Sequence, residues 1–149
     1  MSDHHDHHHH HHHHHDRSGL TRNQNLVFGA LEEAHGPLTA YTILDKLRVE
    51  GFRAPLQVYR ALEKLVEMGM VHRLESLNAF VACRHPSCED HASTAFAICE
   101  TCGSVSEFAD EEISRRLSGW AKGEGFVLQK TVIELRGLCS TCKEAAAAQ

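Results

Sequence analysis

The chain has 149 residues, 42% of them apolar, and a formal net charge of -5. That length and apolar share fit one ordinary soluble domain or two small ones. No apolar run reaches the ~20 residues of a membrane span and the N-terminus has no apolar segment of a secretory signal, so a cytoplasmic location is expected.

Met1 to Asp16 is almost wholly His and Asp, with nothing apolar to offset the entropy of ordering it, so residues 1–19 are expected to form a disordered tail. Nine consecutive histidines, His7 to His15, bind divalent metals weakly at neutral pH. Such a run is either a purification tag or a native metal-buffering tail, and in neither case is it expected to supply ligands to a specific metal site.

Thr21 can cap a helix with Leu26, Val27, Ala30, Leu31 and Ala34 at the 3.6-residue period, ended by Gly36-Pro37. Thr39 caps a second, with Tyr41, Ile43, Leu44 and Leu47 on one side and Gly51 as its stop. Pro55 suits the first turn of a third, whose stripe is Val58, Ala61, Leu62, Leu65 and Val66 and whose stop is Gly69. Val71–Glu75, a turn at Ser76-Leu77-Asn78, and Ala79–Cys83 then alternate as a β-hairpin does. Three helices and a hairpin over 20–84 predict a winged helix-turn-helix with the third helix in the major groove; the competing arrangement is a helical bundle with an added hairpin. This half carries eight basic and seven acidic side chains, so a local basic surface for phosphates is permitted and not demanded.

The polar stretch 85–93, with Pro86 in it, is the expected linker. Over 94–149, Ala95–Cys99 and Gly103–Phe108 read as strands, and Asp110 caps a helix with Ile113, Leu117 and Trp120 on its apolar side. Phe126–Leu135 reads as a longer strand because Thr131, Val132 and Ile133 are β-branched. The whole is an α+β protein: an N-terminal winged helix and a small C-terminal α/β unit. A unit of about 60 residues is below the size at which one core is comfortably stable, so a metal clamp and a second subunit both make physical sense.

Four of the six cysteines fall in two Cys-x-x-Cys pairs, Cys99/Cys102 and Cys139/Cys142. Each pair puts two thiolates around one turn, and two turns complete a tetrahedral sulfur site that suits zinc and leaves no open position for chemistry. Neither pair has the strand-to-helix context of a dithiol oxidoreductase, and no His-Glu-x-x-His helix supports a zinc hydrolase, so no enzyme is expected. A zinc-ribbon interaction module would leave the first half of the chain without a purpose.

Val58-Tyr59-Arg60-Ala61-Leu62, Gly69, Val71-His72, the hairpin ending at Cys83, His91 and the two knuckles resemble, in order and spacing, the ferric uptake regulator family, and its zinc uptake regulator branch above all. The resemblance runs from about Thr21 to Cys142. It implies a homodimer whose C-terminal domains pair, and a second, sensing zinc site of His72, Cys83, His91 and Glu107 between the two halves, making two zinc ions per chain. His85 and Cys88 are further potential ligands in the same stretch. The implied function is a zinc-responsive repressor of zinc-uptake genes, with double-stranded operator DNA as partner and no membrane or small-molecule substrate. Tyr59 and Arg60 are placed at the DNA, with Gln57 in support. Iron(II)-responsive relatives usually carry a His-His-Asp-His cluster where this chain reads Glu89-Asp90-His91-Ala92, so an iron(II)-responsive regulator is the alternative.

Overall fold

The computed structural model describes residues 16–84 and 94–148, so the His-rich stretch and the expected linker, including His85, Cys88 and His91, lie outside the described residues. Its elements are α1 (Arg22–Glu33), α2 (Ala40–Leu47), α3 (Pro55–Glu67), β1 (Val71–Leu74), β2 (Ala79–Ala82), β3 (Thr94–Cys99), β4 (Val105–Ala109), α4 (Glu111–Gly123), β5 (Val132–Gly137) and α5 (Ser140–Ala147). The fold is α+β, with a winged helix followed by a small α/β unit. Among the described residues no helix is long and apolar enough to cross a membrane.

The caps stand where the side chains dictate. Thr21 accepts from the Gln24 amide while the Gln24 side chain accepts from the Thr21 amide, a reciprocal arrangement that satisfies two N–H groups at the start of α1. Thr39 caps α2 from one side only, accepting from the Thr42 amide. After α2 a 3-10 turn, Arg48–Glu50, carries the chain to Gly51 at φ 98°, a left-handed conformation that a Cβ would strain. The three helices enclose one core, with Phe28, Ile43, Val58, Leu62 and Leu65 among its buried members. Tyr41 departs from the sequence expectation. It lies in the first turn of α2 and is 63% exposed, because Ala40, Ile43, Leu44 and Leu47 alone fill the inner face of so short a helix.

β1 and β2 form the wing, antiparallel with Val71 opposite Ala82, and the tight turn closes on Asn78 at φ 46°, which Asn tolerates. A bridge between Leu38 and Phe80 ties the wing to the α1–α2 connection.

In the second unit the strand order is β4-β3-β5, with β4 antiparallel and β5 parallel to β3. Asp110 caps α4 by accepting from the Ile113 amide. Two expectations fail here. The strand read over Phe126–Leu135 begins only at Val132, opposite Thr94, and runs on to Gly137, opposite Cys99. Ile113, Leu117 and Trp120 are not covered, and the only buried residue of α4 is Ala121. A helix α5, not expected from the sequence, starts at the second knuckle with Cys139 as its N-cap.

The wing packs against the sheet of the second unit. Leu74, Phe96 and Ile98 form a separate buried cluster, with Leu77, Val81 and Val105 against it. The two halves therefore share an apolar contact of their own.

Candidate metal centres

The first knuckle leaves the end of β3. Gly103, at φ 75°, donates to the Cys99 carbonyl and closes the turn that brings Cys102 back beside Cys99. The Glu100 amide donates to the Gly137 carbonyl at 2.8 Å, so the end of β5 is held against this turn and Cys139 arrives next to it. The Cys139 sulfur, at the N-cap of α5, accepts from the Cys142 amide at 3.4 Å.

The ligand atoms of Cys99, Cys102, Cys139 and Cys142 lie within 4.8 Å of one another. The Cys102 and Cys139 sulfurs are 3.8 Å apart, and the edge of a tetrahedron with ~2.3 Å zinc–sulfur bonds is about 3.8 Å. The donor set and its dimensions fit zinc. Backbone N–H groups of Cys102 and Cys139 lower the Cys99 pKa to about 6. The Ser104 hydroxyl lowers that of Cys102. A hydrogen bond to Cys139, then partial burial and the other sulfurs, raise Cys142 to about 12. Ligation needs thiolates, so zinc held here competes with protons and is held less tightly as pH falls.

A second group of donors lies between wing and sheet. His72 is on β1, Cys83 directly follows β2, and Glu107 is on β4; their ligand atoms also lie within 4.8 Å of one another. Glu107 Oε1 is 3.6 Å from His72 Nε2 and 3.6 Å from Cys83 Sγ. Tetrahedral zinc with nitrogen, oxygen and sulfur ligands has edges of about 3.4–3.6 Å. Glu107 is only 7% exposed, and its other oxygen accepts from the Arg84 amide at 3.1 Å, which fixes the carboxylate. The His72 ring also packs on Phe96, 5.3 Å between centroids. Reduced Cys83 would supply a thiolate, so the cluster offers one sulfur, one nitrogen and one oxygen. His91, the fourth donor expected from the sequence, lies outside the described residues.

On α3, Arg60 is exposed and has no ion pair or side-chain hydrogen bond among the described residues. Tyr59 is half-buried against the helical core. Gln57 is engaged at the helix start: its Oε1 accepts from the Arg53 amide at 2.7 Å and the Ala54 amide at 3.1 Å, leaving its amide nitrogen as the available group. Sequence reasoning passed over Leu56, 56% exposed in the first turn of α3, whose only signal was its place one turn ahead of Arg60.

The sequence model of the ferric uptake regulator family matches residues 20–136. The zinc uptake regulation protein of Escherichia coli (strain K12) is 41% identical over 126 residues, which span 84% of this chain and 73% of that protein. Among solved structures, holo XcZur is 42% identical, with a TM-score of 0.76 over 84% of this chain and 86% of its own. A zinc uptake regulator complexed with zinc and DNA is 37% identical, with a TM-score of 0.79 over 86% of this chain and 85% of its own.

Proposed function

The chain belongs to the ferric uptake regulator family, and on that premise we propose that it is a zinc-responsive transcriptional repressor rather than an enzyme. As a cytoplasmic homodimer carrying two zinc ions per chain, it binds double-stranded operator DNA and represses genes of zinc uptake. The observation that carries this reading is the convergence of His72, Cys83 and Glu107 from three elements on both sides of the wing–sheet boundary. His91, from the stretch joining the two halves, is assigned as the fourth ligand of this sensing site. The four cysteines are assigned to a structural site.

When bound between the halves, zinc supplies a divalent charge that one thiolate, two imidazoles and one carboxylate satisfy. The chain's own groups do the rest. The Arg84 amide holds the Glu107 carboxylate towards His72 and Cys83, so the donors of wing and sheet face one another. A set drawn from both halves favours the arrangement in which they meet, and it shifts the population by the difference in affinity between that arrangement and others. The thiolate of Cys83 favours zinc over a site for iron(II) built of nitrogen and oxygen donors.

Homodimerisation is supported by the apolar surface one chain leaves open. Trp120, Phe126, Val127, Leu135 and Leu138 are all at least half exposed, and β5 is an edge strand. In the dimer the two α3 helices face DNA with Arg60 at a base edge or phosphate, Tyr59 at a thymine methyl or backbone, and Gln57 in support. Arg60→Ala is expected to lower operator affinity about tenfold or more, with zinc content unchanged, as read by fluorescence anisotropy and elemental analysis. Unaltered operator affinity would remove α3 from the interface and the reading with it.

A further inference from the structure

Phe96, in the middle of β3, has a carboxylate on each side of it in the sheet. Its register partner on β4 is Glu107 and its register partner on β5 is Glu134. Register partners project to the same face of a sheet, and here that face is the one the wing covers, with Phe96 buried against Leu74. Glu107 reaches the base of the wing, at His72, Cys83 and the Arg84 amide. Glu134 reaches its tip: its two oxygens lie 3.2 and 3.5 Å from the backbone N–H of Ser76, in the turn between β1 and β2. The wing is thus held at both ends, 58 residues separating Ser76 from Glu134 in sequence. Among the described residues Glu134 enters no ion pair, so its charge is directed at this amide alone.

The two anchors differ in kind. Glu107 belongs to the metal cluster, whereas among the described residues Glu134 joins no group of His, Cys, Asp and Glu that could hold a metal ion. We propose that Glu134 is a positioning residue for the regulatory transition, a metal-independent tether of the wing tip to the C-terminal sheet that sets the zinc concentration at which operator binding begins. This rests on the function proposed above.

The physical basis is linkage. A hydrogen bond from an amide to a carboxylate is stronger than one between neutral groups, but the exposed Ser76 amide can turn to water instead, so the net gain is modest. That gain exists only where wing and sheet are in contact. It therefore raises the fraction of chains already in the zinc-binding arrangement, and apparent zinc affinity scales with that fraction. Once zinc is saturating, the sensing ligands hold the wing themselves and the tether becomes redundant.

The test uses full-length protein with its structural zinc retained, comparing wild type, Glu134→Ala and Glu134→Gln. With the sensing site stripped of zinc, hydrogen exchange at the Ser76 amide is expected to be about tenfold faster in Glu134→Ala. Operator binding titrated with free zinc is expected to reach its midpoint at about three- to tenfold more zinc, with the same plateau. Glu134→Gln, which keeps an acceptor oxygen without the charge, falls between the two and serves alone if the alanine variant does not fold. An unchanged zinc midpoint overturns the proposal, whether or not exchange at Ser76 speeds up. If wild type itself shows no zinc-dependent operator binding, the proposed function fails, and the Ser76 exchange still decides whether the tether exists.

Discussion

Cys99→Ser is expected to release about one zinc per chain and to unfold the C-terminal unit while the winged helix stays folded. The reason is one of magnitude. A core of fewer than about 70 residues supplies roughly 3–5 kcal/mol, and structural zinc in small domains contributes on the order of 10 kcal/mol. The described part of this unit buries little beyond Ala95, Phe96, Ile98, Cys99 and Ala121. Cys99 ends β3, the strand that pairs with both β4 and β5, and Cys139 opens α5 beyond β5. Without its clamp the sheet has no closure at that end. Elemental analysis with far-UV circular dichroism and amide exchange reads the result. A variant that keeps its full zinc content and the protection of β3 and β5 would show that the four sulfurs are not a structural site.

Glu107→Gln is expected to have the second largest effect, and on regulation rather than folding. The amide side chain retains the shape of the carboxylate and can still accept from the Arg84 amide, so the wing–sheet contact keeps its packing. It removes the only anionic oxygen of the His72, Cys83 and Glu107 cluster. Losing even a group that merely supports a metal ligand costs about 10–100-fold in affinity, so losing the ligand itself costs at least about a hundredfold. Zinc content should fall by one ion per chain, and operator binding should need correspondingly more zinc. Thermal stability with the structural site filled should stay near that of wild type. A Glu107→Gln protein that responds to zinc as wild type does would take the carboxylate out of the sensing site.

These effects differ in how far the sequence reveals their cause. Cys-x-x-Cys is legible because the spacing itself forces two sulfurs into one turn, and Thr21, Thr39 and Asp110 are legible because a short oxygen-bearing side chain before an apolar stripe has one obvious use. Pro55, Gly51 and Asn78 likewise carry their backbone preferences with them. Other features depend on partners distant in the chain. The bounds of β5, Val132–Gly137, follow its pairing with β3, which the β-branched residues Thr131, Val132 and Ile133 do not reveal by themselves. The apolar side of α4 matches the helical period, yet a single chain leaves it uncovered, since periodicity marks a face without saying which molecule covers it. The grouping of His72, Cys83 and Glu107 rests on the order of family motifs in the sequence, and their proximity depends on the wing lying against β3 and β4. Glu134 carried no signal at all. A lone Glu in a strand becomes a tether only once the parallel β3–β5 register puts it beside Phe96 and under the wing turn.

In the proposed mechanism the wing–sheet cluster makes DNA binding depend on zinc. Its most direct test is a titration of fluorescent operator DNA from a zinc-uptake gene with the full chain, under separate free concentrations of zinc, iron(II) and manganese(II). The expected result is a rise in operator affinity with zinc at concentrations where iron(II) and manganese(II) have little effect, lost in Glu107→Gln. Activation by iron(II) with no response to zinc would contradict this mechanism and make the chain an iron(II)-responsive regulator.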